Sequence, residues 1–253
     1  QSSAASDVYK RQIYMEMLNF LAATVEPGDF TGFTFFIGSV SMLAATVWFL
    51  MQHGVVDKKF KDSMLVAALI TGIAAVHYFY MREQWVMDKT SPTELRYIDW
   101  ILTVPLMVVE FALLTGVGMS KLFWLSVVML VTGYFGESGV TGMLDAQIWG
   151  AISGAAYFWM AYEVGCLTIF GGPTGAVGKA LASGSGKIPA AGRMLQWFVL
   201  VGWAIYPLGY MAGTDGWYNF VAISDDAMNI IYNLGDAVNK IGFGMAVWYA
   251  AKS

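Results

Sequence analysis

Apolar residues in this chain come in long runs broken by short polar stretches, with neither the strict alternation of strands nor the single stripe of an amphipathic surface helix. A helix needs roughly 20 residues to cross hydrocarbon. On that measure the runs predict seven membrane-spanning helices, at about 30–51, 64–82, 93–115, 121–138, 145–170, 193–213 and 226–251, the fourth being the shortest. Before them, the stretch beginning "QSSAASDVYKRQ" is polar and aperiodic. It lacks the basic-then-apolar order of a signal peptide, and "MLNFLAATV" after it is too short to span before Pro27-Gly28 ends it. Residues 1–26 therefore read as a tail, in part appended, with Met15 or Met17 as a native start, and residues 27–253 as one seven-helix domain.

Lys and Arg in the short connections set the direction of the spans. Lys58, Lys59 and Lys61 lie in the first loop, Lys121 in the third, Lys179, Lys187 and Arg193 in the fifth, and Lys252 in the tail. The second loop has Arg82 and Lys89, and the fourth and sixth have no basic residue. Odd loops are thus expected on the cytoplasmic side, with the N-terminus outside and the C-terminus cytoplasmic. The only long flexible loop expected is "GGPTGAVGKALASGSGKIPAAG", between spans five and six.

Composition agrees with a membrane protein: 57% of the 253 residues are hydrophobic and only 13% charged. A net charge of -4, with basic residues thinly spread, excludes a nucleic-acid surface. A lone Cys166 excludes an internal disulfide.

Against this background the few charges inside spans stand out, because an ionised group in hydrocarbon costs several kcal/mol and persists only inside the bundle with a partner. The third span, "RYIDWILTVPLMVVEF", carries Arg96, Asp99 and Glu110. At 100° per residue, eleven residues return Glu110 to within about 20° of the face of Asp99, roughly 16 Å along the axis. Thr103 shares that face. In the seventh span Asp236 precedes Lys240 by one turn, on the same side of it as Asp99. Two readings stand for this pair: a structural brace, or a desolvated lysine able to condense with an aldehyde. His77 reads either as a satisfied core histidine or as a proton-linked group. Glu163 reads as an interfacial charge, and Pro105 and Pro207 as helix-bending positions.

The residues that carry these charges also carry a resemblance. "RYIDWILTVP" with "EF", "HYFYMR", "GWAIYPLGY" and "IYNLGDAVNKIGFG" resemble the microbial (type 1) rhodopsins, and within them the proteorhodopsins, over all seven spans. The resemblance implies an all-α seven-transmembrane helix bundle with all-trans retinal in its core, bound as a protonated Schiff base on Lys240. It implies Asp99 as proton acceptor, Asp236 as second counter-ion, Glu110 as cytoplasmic proton donor, Arg96 outside the counter-ion pair and His77 hydrogen-bonded to Asp99. Trp100, Trp203, Tyr206 and Pro207 match retinal-pocket positions, and Met107 stands at the colour-tuning position. It further implies a light-driven outward proton pump, multi-pass in a bacterial inner membrane and its lipid bilayer, assembling as a pentamer or hexamer.

The alternative within the family is a photosensory rhodopsin with a slow photocycle, which needs no carboxyl at the position of Glu110. Sodium and chloride pumps differ at the span-three positions held here by Asp99, Thr103 and Glu110. A carrier built on repeated, broken helices is not evident. The chain reads as an ion transporter and not as an enzyme.

Overall fold

The fold is that of a computed structural model, which describes residues 9–12, 25–140, 142–166, 172–213 and 223–252. The apolar segment and candidate start residues at 13–24 lie outside the described residues.

Among the described residues, seven long helical stretches follow one another: α1 (Phe30–His53), α2 (Lys61–Asp88), α3 (Thr93–Thr115), α4 (Ser120–Ser138), α5 (Ala146–Glu163), α6 (Ile188–Gly213) and α7 (Asp225–Ala251). Their ends have local causes. Asp29 caps α1 by accepting from Gly32 N at 2.7 Å, and Ser224 caps α7 by accepting from Ala227 N at 3.3 Å. Gly116 and Gly139 close α3 and α4 in the left-handed conformation that glycine adopts without steric cost.

Each helix packs on its sequence neighbour, and α7 packs back on α1, so the seven close a ring, with α3 and α7 meeting across it. Long apolar side chains point outward, among them Leu43, Leu69, Trp124, Phe158, Leu208 and Val238. The side chains of Arg96, Asp99, Glu110, Asp236 and Lys240 are buried inside. An apolar exterior around charged groups is the reverse of a water-soluble domain and fits a lipid surround. By length and composition, Phe30–His53, Lys58–Asp88, Thr93–Thr115 and Ile188–Gly213 are the clear spans. α4 and α5 have only 19 and 18 residues, and α7 is made less apolar by the charges it carries inward.

Three boundaries differ from the sequence reading. α2 is longer than 64–82 at both ends. α5 ends at Glu163, well before 170, because the chain turns and Gly165 takes a φ of 83°. The long loop is partly ordered as a helix, Ala176–Ala182, whose Val177 and Leu181 are buried against the bundle. Gly175, at a φ of 62°, lies against the Glu163 backbone with no room for a side chain.

α6 is also irregular. It is α-helical over Ile188–Trp197, π-helical over Phe198–Gly202 and α-helical again from Ile205. Pro207 has no N–H to offer the Trp203 carbonyl, which accepts from Tyr206 N at 3.2 Å instead. The Gly202 carbonyl, deprived of that donor, accepts from Asn239 Nδ2 of α7 at 2.9 Å. A polar side chain thus repairs a break in a helix where water is scarce.

Candidate functional site

α3 and α7 bring the two halves of the site together. Lys240 Nζ donates to Asp99 Oδ2 at 2.5 Å and also pairs with Asp236, one turn before it on α7. All three side chains are at most 2% exposed. Two carboxylates around one ammonium leave a net negative charge, and Tyr206 donates to Asp236 Oδ1 at 2.8 Å, sharing it. Asp99 Oδ1 has no hydrogen-bond partner among the described residues.

The remaining span-three positions fall around this centre. The Thr103 hydroxyl donates to the backbone carbonyl of Asp99 at 2.9 Å and leaves the carboxylate untouched. The Arg96 guanidinium donates to Asn229 Oδ1 at 2.7 Å and lies 4.8 Å over the Tyr232 ring, so it sits on an amide and an aromatic face. His77 Nδ1 is 4.0 Å from Asp99 Oδ1, beyond hydrogen-bond reach, and lies 2.9 Å from the Ile73 carbonyl of its own helix. The expected His77–Asp99 hydrogen bond is thus absent from this arrangement, because the ring is satisfied locally.

Glu110 lies in the opposite half of α3 and is fully buried, with neither oxygen hydrogen-bonded. The Ser63 hydroxyl of α2, also buried and without a partner, is close enough to interact with it but lacks hydrogen-bond geometry. Glu163, by contrast, is tied to Lys121 of α4 at 3.0 Å and to Trp159 Nε1 at 3.3 Å, and so braces helix ends.

Beside the ion cluster is a mainly apolar cavity of about 690 Å³ between α3, α4, α5 and α6. Trp100, Trp203, Tyr206 and Pro207 line it, with Tyr157 opposite. Tyr206 also holds Asp236, so one residue joins the cavity to the charges. The Trp100 ring meets Tyr206 edge-on at 4.8 Å, and its Nε1 has no partner among the described residues. Trp203 stacks on Phe243 of α7 at 6.4 Å. Met107 is buried in the core, outside the cavity lining. An elongated apolar molecule with an aldehyde end fits this combination of apolar wall and buried amine. No group of acidic, histidine or cysteine side chains suited to a metal occurs among the described residues.

Asn229, Asn239, Tyr232 and Ser63 were not singled out from the sequence. For Asn229 a signal existed: Asn229, Asn233, Asp236 and Lys240 recur every three or four residues, a polar line along one face of an apolar helix. Nothing comparable marks Ser63.

Residues 29–253 match the family model described as "Bacteriorhodopsin-like protein". A blue-light absorbing proteorhodopsin from Gamma-proteobacterium Hot 75m4 is 42% identical over 230 residues, 88% of this chain and 86% of that protein. A green-light absorbing proteorhodopsin from Gamma-proteobacterium EBAC31A08 is 38% identical over 234 residues, 90% and 88% of the two chains. Among solved structures, xanthorhodopsin, a light-driven ion pump with dual chromophore, superposes with a TM-score of 0.74 at 25% identity, over 90% of this chain and 95% of that one.

Proposed function

The chain belongs to the bacteriorhodopsin-like family, and from that membership we propose that it is a light-driven outward proton pump using all-trans retinal held at Lys240. The likeness to the two proteorhodopsins and to a light-driven ion pump supports this reading. The observation that carries it is the asymmetry around one buried amine. Two carboxylates sit against Lys240, while Glu110 stands unpaired in the other half of α3.

Lys240 would hold retinal through its side-chain nitrogen, and the bound group would supply light absorption and a light-driven change of shape. Asp99 Oδ2, 2.5 Å from that nitrogen, receives its proton. Asp236, hydrogen-bonded by the Tyr206 hydroxyl, stays beside the Lys240 nitrogen as the second carboxyl. Glu110, as donor, returns a proton to the Lys240 nitrogen from the opposite half of the bundle and is refilled from the cytoplasm. Trp100, Trp203, Tyr206 and Pro207 wall the chromophore and exclude water from it. Arg96, held by Asn229, stands on the extracellular side of the counter-ion pair. His77 tunes Asp99 at longer range, and Thr103 anchors the backbone beneath it.

The Lys-bearing odd loops support an N-terminus outside and a C-terminus in the cytoplasm of a bacterial inner membrane. On family grounds the protomer assembles as a pentamer or hexamer. A photosensor needs no fast reprotonation, so a fully buried Glu110 favours the pump. Illuminating retinal-loaded vesicles of known orientation while recording pH tests the reading. Acidification on the extracellular face is expected, and a coloured pigment that moves no protons would overturn it.

A further inference from the structure

The cavity beside the ion cluster also reaches the outside of the bundle, between α5 and α6. Phe158 of α5 and Leu208 of α6 line it, yet the two are 70% and 54% exposed on the outward surface. Small residues line it there as well: Gly150, Gly154 and Ala155 on α5 and Ala204 on α6. A side chain at Gly154 would meet nothing within 4 Å, so the space in front of it is open. On the inner side the same cavity is walled by Trp100, Trp203 and Tyr206, and Tyr206 donates to Asp236 beside Lys240. One mainly apolar space thus runs from the outer surface to the edge of the ion cluster.

Two tyrosines tie the helices at either end of this gap. The Tyr157 hydroxyl of α5 donates to the Val199 carbonyl at 2.8 Å and lies 3.2 Å from the Leu200 carbonyl, both in the π-helical stretch of α6. At the other end the Tyr210 hydroxyl of α6 donates to the Ala146 carbonyl of α5. Gly136 and Gly150 give the Tyr210 ring its place, because a Cβ at either would run into it. Residues 146 and 157 are eleven apart, so the ties stand roughly 16 Å apart along α5. Small residues where membrane helices face each other normally let the backbones close up. Here a cavity of about 690 Å³ stands beside them instead.

We propose that the gap between α5 and α6, framed by Tyr157 and Tyr210, is the entry through which retinal passes sideways from the bilayer to Lys240. The inference rests on the reading of Lys240 as the retinal-holding residue. An elongated apolar aldehyde collects in hydrocarbon rather than in water, so the lipid around the bundle is its source. The two ends of the bundle offer it poor routes. From outside, the way passes the buried guanidinium of Arg96, held by Asn229. From the cytoplasm it passes a packed core in which the rings of Phe111 and Phe243, both fully buried, meet edge-on at 5.6 Å. At the gap the molecule meets mainly apolar side chains and glycine, and the cavity leads it past Trp203 and Tyr206.

The test uses the full chain, made without retinal and placed in phosphatidylcholine vesicles. All-trans retinal is added in excess, so that it fills the lipid first, and the growth of visible absorbance is followed. Gly154→Trp, which fills the gap from its open side, should colour more slowly than the parent by about tenfold or more, as for passage through an overpacked space, yet reach the same final absorbance. Leu69→Trp, on the outward face of α2, should colour at the parental rate. Parental speed in Gly154→Trp, or equal slowing in Leu69→Trp, would overturn the proposal. If Gly154→Trp does not fold, Ala155→Trp, on the exposed side of the same gap, takes its place, and parental speed in that variant overturns the proposal. A parent that never colours would reject retinal at Lys240 itself.

Discussion

Lys240 Nζ and Asp99 Oδ2 meet at 2.5 Å although 141 residues of chain separate them. The pair exists only because α3 and α7 face each other across the ring. Lys240→Ala should abolish visible colour after retinal addition, since no other described lysine is buried. A coloured, borohydride-reducible variant would refute this. Asp99→Asn should keep the chromophore, shift its absorption to the red as counter-ion charge is lost, and block the first proton transfer.

Glu110→Gln separates donor from acceptor. Colour and the first transfer should be nearly unchanged, because Asp99 is intact. Return of the proton to Lys240 should slow by about 10² or more, in the range for loss of a positioned acid, and should become dependent on bulk pH. Added azide, a small mobile acid, should restore it. Parental recovery across pH, followed by flash absorbance, would remove Glu110 from the relay.

Met107→Gln places an amide dipole in the apolar core of α3. Absorption should move to the blue, while the parent protein, with an apolar thioether there, should absorb in the green. An unchanged absorption maximum would exclude Met107 as the tuning residue.

Asn239→Ala should be costly for a residue that carries no charge. It leaves the Gly202 carbonyl without its donor at the α6 break, and an unsatisfied buried polar group costs about 1–3 kcal/mol. A lower thermal bleaching midpoint is expected. Gly202→Ala should also destabilise, because a Cβ there runs into the Asn239 amide.

Asp29 lies outside the spans and gives a pH-dependent clasp. Burial opposes its charge, but Lys89 at 2.6 Å, the Gly32 N–H and Trp85 outweigh burial and hold its carboxyl below the usual value of 3.8. A carboxyl depressed in the folded state stabilises it fully above the unfolded value, and that contribution is lost as pH falls through the folded pKa. Asp29→Ala should cost about 1 kcal/mol through the lost cap. Asp29→Asn keeps the cap but loses the charge, so it should be less stable than the parent at pH 7 and lose less thermal stability on acidification, the two converging in acid.

Seven helices, their order and the positions of Asp99, Glu110, Asp236 and Lys240 could all be read from the sequence, for one physical reason. Hydrocarbon forces every backbone group to bond within its own helix and makes each buried charge expensive, so length, apolar character and stray charges are written locally along the chain. The ends of α5 and the helix Ala176–Ala182 were not legible, since Gly165 and Gly175 act through backbone conformation and close packing. Nor were the π-helical stretch of α6 and its repair by Asn239, which depend on what α7 presents at that height. Helical periodicity gives the face a residue occupies but not the rotation or depth of the facing helix. Only tertiary structure therefore decided that Lys240 meets Asp99, that His77 turns to Ile73 instead, and that Arg96 rests on Asn229.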